Sequence, residues 1–253
     1  MALLDMVSKP ADRAIIATIT GDSGMGKTTL AASFPKPLFI RAEDGLQAIP
    51  AAQRPDALPL VRTVDDLWQQ LTAVLQEQHD YQTLVIDSVT ALERLFVQHV
   101  IESDPKQPKS INQAMGGYGA GLAAVAGLHQ RVRRAAGKAN ERGMHVVFIA
   151  HADTETIELP DSDPYTRYSL RLSKKSVAPY VDDSDLVGFI KLQTFYMGDG
   201  DRKKAISNGD RVLVTYATAA SVSKNRFGIT SDLPVVAGQN PLANIVPSLK
   251  AGA

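Results

Sequence analysis

The run Gly21-Asp22-Ser23-Gly24-Met25-Gly26-Lys27-Thr28 limits what this chain can fold into more than any other feature. Its spacing is G-x-x-x-x-G-K-[ST], and that spacing has a mechanism. Glycines let the backbone curl closely around phosphate groups while successive N–H groups point inward. The lysine reaches the outer phosphates, the threonine hydroxyl faces Mg²⁺, and the positive end of the following helix adds to the field. Such a loop needs a strand before it and a helix after it. Both are legible: residues 14–20 (AIIATIT) form an apolar β-rich run, and residues 27–34 read as a helix halted by Pro35 and Pro37. Gly21, Asp22, Ser23, Gly24, Met25, Gly26, Lys27, Thr28 and Thr29 are therefore expected to hold ATP, with Mg²⁺ beside Thr28.

Strands and helices alternate through the rest of the chain. Further strands are expected at residues 38–42, at 84–86 ending on Asp87, at 145–150, at 187–195 and at 211–218. A turn is expected around 198–200. Thr63 followed by Asp65 and Asp66 reads as the start of a helix running to about His79. More helices are expected at 89–101 and 122–142. Alternation of this kind argues for a parallel sheet covered on both faces, with ligands at the carboxyl ends of its strands. Residues 48–59 read as loop with a helical turn. Residues 102–121 combine a polar, proline-bearing stretch with the glycine-rich MGGYGAG and read as a mobile loop. Residues 152–183 form a second polar stretch with a hairpin near 168–172. The expected division is a core over residues 1–237 and a C-terminal tail over 238–253.

Composition narrows the chemistry. The 253 residues contain no cysteine, which removes disulfides, thiolate metal sites and a cysteine nucleophile. Formal net charge is zero, so overall charge does not announce a nucleic-acid partner. No apolar run has the length of a membrane span, and the N-terminal residues lack a secretory pattern, so a cytoplasmic protein is expected.

Acids fall where phosphate chemistry would need them. Asp87 closes its strand and is the candidate for organising Mg²⁺ with Thr28, with Ser88 in support. Glu43 closes the strand beside it and is a candidate base for the attacking water; Asp44 is an equal rival by spacing. His151 ends another strand and is either a sensor of the terminal phosphate or a structural histidine. Lys224 and Arg226, one residue apart, are either a paired anion contact or a solvated basic turn.

Taken together, residues 14–228 resemble the RecA-like ATPases, a group that includes RecA, the RadA/Sms proteins, the DnaB-type helicases and short phage relatives of the Sak type linked to single-strand annealing. Leu38-Phe39-Ile40-Arg41-Ala42-Glu43 is similar to the family strand that ends on the catalytic glutamate, which points to Glu43. Arg41 stands where family members often carry an acid. Val85-Ile86-Asp87-Ser88 resembles the magnesium-associated strand, and His151 takes the place of a sensor glutamine or histidine. Lys224-Asn225-Arg226-Phe227-Gly228 is similar to the KNRFG motif of RadA, whose basic pair reaches a neighbouring subunit's nucleotide. The resemblance implies an α/β RecA-like P-loop NTPase core. That core would hold a mostly parallel sheet with helices on both faces and antiparallel strands toward the C-terminus. It also implies a homo-oligomer, as a ring or a filament. Lys27, Glu43, His151, Lys224 and Arg226 would be catalytic.

In such recombinases two loops face DNA. The matching segments here carry Lys106, Lys109 and Tyr118 in the first, and Arg167, Arg171, Lys174 and Lys175 with Tyr165 and Tyr168 in the second. Cations beside aromatics suit single-stranded DNA. Acids are interleaved among them: Glu102, Asp104, Glu155, Asp161 and Asp163. The expectation is an ATPase acting on single-stranded DNA in recombination or annealing, phage-encoded and working in the host cytoplasm, with no membrane partner. The alternative is a regulatory or assembly ATPase with a protein partner, which neutral charge favours. A small-molecule kinase is a third option, against which the KNRFG motif argues.

Overall fold

The computed structural model of the protein describes residues 3–9, 11–197 and 204–250. Twelve strands occur among them: β1 Ile16–Gly21, β2 Pro37–Arg41, β3 Asp56–Ala57, β4 Thr83–Asp87, β5 His145–Leu159, β6 Ser162–Leu170, β7 Leu186–Leu192, β8 Phe195–Met197, β9 Lys204–Ile206, β10 Arg211–Val214, β11 Lys224–Asn225 and β12 Leu233–Pro234. Six α-helices accompany them: α1 Lys27–Ala32, α2 Val64–Gln76, α3 Val89–Glu102, α4 Ala120–Glu141, α5 Lys174–Val181 and α6 Pro247–Lys250. The main sheet runs β12-β10-β7-β1-β5-β4-β2-β3. β7, β1, β5, β4, β2 and β3 are mutually parallel, while β10, β11 and β12 join antiparallel. This is the expected fold class.

Parallel strands buried on both faces read as continuous apolar runs. Each face then takes alternate residues. Leu38, Ile40, Leu84, Ile86, Val146 and Phe148 pack with α2, α3, α4 and Tyr180 of α5. Ala17, Ile19, Phe39, Val85, Val147 and Ile149 pack with Leu30 of α1 on the other face. The segment read as a C-terminal tail adds Leu242, Val246 and Leu249 to this second cluster, so it is packed against the core. α2 opens on a capping box: Thr63 Oγ1 accepts from Asp66 N and an Asp66 carboxylate oxygen accepts from Thr63 N.

Three local expectations are corrected. First, β5 does not stop at Ala150. It leaves the sheet and continues to Leu159, pairing with β6 as a two-stranded ribbon whose turn lies at residues 160–161, not near 168–172. Second, residues 174–181 form α5 within the stretch read as loop. Third, the segment read as a mobile loop is organised by Asp104, whose carboxylate accepts from Lys106 N at 2.9 Å and Met115 N at 2.6 Å. The expected turn at 198–200 lies outside the described residues. No helix among the described residues is long and apolar enough to cross a membrane.

Candidate active site

β1 lies between β5 and β7, and β4 lies next to β5, so the carboxyl ends of these strands gather the phosphate loop, Asp87 and His151 at one edge. Glu43 follows β2 at the same edge. A cavity of about 470 Å³ opens there. It is lined by Ser23, Gly24, Gly26, Lys27, Thr28 and Thr29 of the loop and by Glu43, Asp87 and His151. Gly21 is fixed by sterics: a Cβ at this position would sit 2.6 Å from the Ile190 carbonyl oxygen. Gly26 has φ 91°, which favours glycine.

Lys27 is almost fully buried, and its Nζ donates to the carbonyl oxygens of Gly21 at 2.9 Å and Asp22 at 2.8 Å. Burial lowers its pKa, and the charges of Asp87, Glu43 and Asp22 oppose that effect. Thr28 Oγ1 donates to Asp87 Oδ2 at 2.9 Å. Asp87 is 2% exposed, and burial pushes its pKa up to about 6 despite the threonine bond. A hydroxyl and a carboxylate are hard oxygen donors of the kind Mg²⁺ takes. No cluster of three or more His, Cys, Asp or Glu suited to a metal occurs among the described residues, so phosphate and water oxygens would complete the shell.

Glu43 is bound on several sides. His151 Nε2 lies 3.1 Å from its Oε1, and Arg94 lies 4.0 Å from Oε2. The His151 bond is the main reason its carboxyl titrates below the usual range. Asp44, its rival, is paired with Arg41 at 3.1 Å and is half exposed. Arg41 thus engages the competing acid and leaves Glu43 to His151. Glu43 as a carboxylate can only accept, so the ring proton belongs on Nε2 and Nδ1 can accept from Ser23 Oγ, 3.4 Å away. His151 thereby touches both the phosphate loop and the candidate base. Its backbone N–H donates to Thr90 Oγ1 at 3.0 Å, which fixes the strand end.

Lys224 and Arg226 lie elsewhere. β11 pairs with the start of β7, placing them at the amino ends of the strands, opposite the phosphate loop. Arg226 Nη1 is 3.2 Å from Asp185 Oδ1, which also binds Arg13 at 2.7 Å. Lys224 Nζ donates to the Asp182 carbonyl at 2.7 Å. Neither reaches the nucleotide cavity of its own chain.

The candidate DNA residues are spread unevenly. Arg167 pairs with Glu155 at 2.8 Å, and Arg171 lies 3.9 Å from Asp153. Arg171 sits at the foot of the ribbon, where its N–H donates to the His151 carbonyl and its charge is felt at Lys27. Tyr165 and Tyr168 differ by an odd number of positions and project from opposite faces of the ribbon. One face of Tyr168 stacks on Phe189, with centroids 4.7 Å apart. Tyr118 is fully exposed, and Lys174 and Lys175 are exposed at the start of α5. Lys175 Nζ would lie 3.8 Å from a Cβ at Gly119, so the two expected loops adjoin.

Arg211 also lines the cavity and escaped the sequence reading. Its signal was antiparallel pairing: β10 runs against β7, and the register Arg211↔Leu192 brings the start of β10 to the phosphate edge.

Residues 13–227 match the family model described as AAA domain. The chain is 28% identical over 206 residues to the SPbeta prophage-derived uncharacterized protein YorG of Bacillus subtilis (strain 168), covering 79% of this chain and 56% of that protein's length. Among solved structures it is similar to the KaiC-like protein PH0186 of Pyrococcus horikoshii OT3, with 12% identity, TM-score 0.48, and coverage of 90% of this chain and 88% of the other.

Proposed function

The chain belongs to the AAA domain family, and from that premise we propose that it is a magnesium-dependent ATPase whose subunits share their nucleotide sites and whose partner is single-stranded DNA. The convergence of Lys27, Thr28, Asp87, Glu43 and His151 in one cavity carries the hydrolytic part. Lys27 and the loop N–H groups bind the phosphates. Thr28 and Asp87 would hold Mg²⁺, which when bound would screen phosphate charge. Glu43 orients and deprotonates the attacking water, and His151 holds Glu43. Lys224 and Arg226, facing away from their own cavity, serve a neighbour's phosphates. The β5–β6 ribbon begins at His151 itself, so a change at the terminal phosphate has a direct mechanical route to an exposed element.

The DNA part is supported by Lys174, Lys175 and Tyr118, exposed cations and an aromatic at adjoining loops. A second reading, with a protein partner in place of DNA, is favoured by the ion pairs that occupy Arg167 and Arg171. One experiment separates the two: phosphate release from Mg-ATP with and without single-stranded DNA, at low and high salt. Stimulation that fades with salt supports the DNA reading. Turnover indifferent to DNA leaves the protein partner. No turnover in any condition sinks the ATPase.

A further inference from the structure

Asp185, just before β7, is 4% exposed and makes three contacts. Its Oδ2 accepts from the Ile16 N–H at 2.9 Å. Its Oδ1 accepts from Arg13 Nη2 at 2.7 Å and lies 3.2 Å from Arg226 Nη1. One oxygen of a buried carboxylate thus serves two guanidiniums. We propose that Arg13 is a positioning residue for hydrolysis: it keeps Asp185 paired when Arg226 turns to a neighbouring subunit's phosphates, so the Arg226–Asp185 contact is a resting position that can be given up. This rests on the shared-site reading above and adds its regulation.

The two arginines are held unequally. Arg13 also donates through Nη1 to Asn140 Oδ1 at 3.0 Å, and Asn140 is itself fixed by donating to the carbonyls of Ala14 and Met144 at 3.0 Å each. The Arg13 fork is therefore clamped on both tines, to the end of α4 and to Asp185. Arg226 has the single, longer contact among the described residues.

Freedom at Arg226 is confined to its side chain. Asn225 ties down the backbone on either side of it: Oδ1 accepts from the N–H groups of Phe227 and Ile229 at 3.0 Å each, and Nδ2 donates to the carbonyls of Thr215 at 2.8 Å and Ile229 at 2.9 Å. The guanidinium itself is more than half exposed and borders a cavity of about 270 Å³ shared with Arg13, Phe227 and Ser248. It has room to leave Asp185 without any change in the loop.

Charge explains why a second arginine is needed. A buried carboxylate that loses its only cation is strongly unfavourable. If Arg226 were the sole partner of Asp185, it could leave only by stranding that charge. With Arg13 in place, the carboxylate keeps a charge-assisted hydrogen bond and the Ile16 N–H. Arg133 does not substitute, because its Nη2 donates to the Asp183 carbonyl at 2.8 Å. Removing Arg13 should therefore tighten the hold of Asp185 on Arg226, and removing the Asp185 charge should release it.

The test is a double-mutant cycle read in kcat at saturating Mg-ATP, well below the melting temperature of each variant, with ATP affinity measured alongside. Arg13→Ala should lower kcat by about tenfold, the factor carried by one charge-assisted hydrogen bond, and leave ATP affinity unchanged. Asp185→Asn should turn over at least as fast as the wild type. The double variant should match Asp185→Asn, since Arg13 matters only while the carboxylate is there. Arg13→Lys replaces alanine if that variant does not fold, with a smaller loss that Asp185→Asn also removes. A merely structural Arg13 would lower Tm and leave kcat of the folded protein unchanged. Wild-type kcat in the Arg13 variant, or a loss that Asp185→Asn does not remove, overturns the inference, while an inactive Arg226→Ala keeps the shared site. Wild-type turnover in Arg226→Ala removes the shared site and this inference with it.

Discussion

His151 Nε2 lies 3.1 Å from Glu43 Oε1 although 108 positions separate them in the chain. β4 lies between the strands that carry them, so the contact spans two ladders of the sheet. Asp44, the neighbouring acid, is held instead by Arg41. Glu43→Gln should keep ATP affinity and lower turnover by roughly 10²–10⁴-fold, the usual worth of a positioned base. Asp44→Asn should leave turnover near the wild-type rate. Phosphate release and calorimetric binding, run on both variants, decide the matter: the reverse pattern would assign the base to Asp44.

On the proposed arrangement His151 would act through Glu43, 3.1 Å from its ring, so its substitutions should separate by hydrogen-bonding capacity. Glutamine keeps an amide donor at a similar reach, whereas alanine keeps none. His151→Ala should lower kcat by about tenfold with little change in KM, and His151→Gln should recover most of the loss. Steady-state kinetics on the two variants checks this. Equal damage from both would make His151 a packing residue.

The phosphate edge was legible because each of its parts is local. The loop is eight consecutive residues, and Asp87 and His151 each end an apolar run. Strand order was not needed to expect them at one edge, since parallel strands put all their carboxyl ends there. Arg211 was hidden because β10 is antiparallel, so its first residue rather than its last reaches that edge. The ribbon was hidden for another reason. Thr154, Glu155, Thr156, Thr166 and Arg167 show no apolar alternation because no core lies against either of the ribbon's faces beyond the sheet. The Glu93–His129–Tyr180 network joins three helices through polar side chains, and no sequence period marks such a contact.

That network should set an acid limit on stability. His129 Nδ1 is 2.7 Å from the Tyr180 hydroxyl, and its Nε2 is 2.7 Å from Glu93 Oε2. Ser173 N–H donates to the other Glu93 oxygen at 3.0 Å. Burial raises the Glu93 pKa, but His129 and Ser173 outweigh it and hold the carboxyl below its usual value. A folded pKa below the unfolded one means the stabilisation is present above about pH 4.3 and is lost as pH falls through the folded value. Glu93→Gln should cost about 2 kcal/mol near neutrality, the worth of a charged partner removed from a buried polar group. The gap in Tm between wild type and variant should close as the pH drops below that range. A gap independent of pH in thermal melts would mean that shape, not charge, holds the three helices.

Arg226 gives the sharpest test of a shared site. It lies at the amino ends of the strands and binds Asp185, so within one chain it cannot touch the phosphates held at the opposite edge. Arg226→Ala should therefore bind ATP normally and hydrolyse it poorly. Lys27→Ala should fail to bind ATP but still carry an intact Arg226. In a head-to-tail assembly the two defects complement at interfaces where the first variant supplies the cavity and the second supplies the arginine. Random mixing in equal amounts creates such interfaces about a quarter of the time, so turnover should return to about a quarter of the wild-type rate. Thermal melts of Arg226→Ala control for the lost Asp185 contact. A stable variant whose activity does not return on mixing would place Arg226 outside the reaction and leave it as the partner that holds Asp185 at the base of β7.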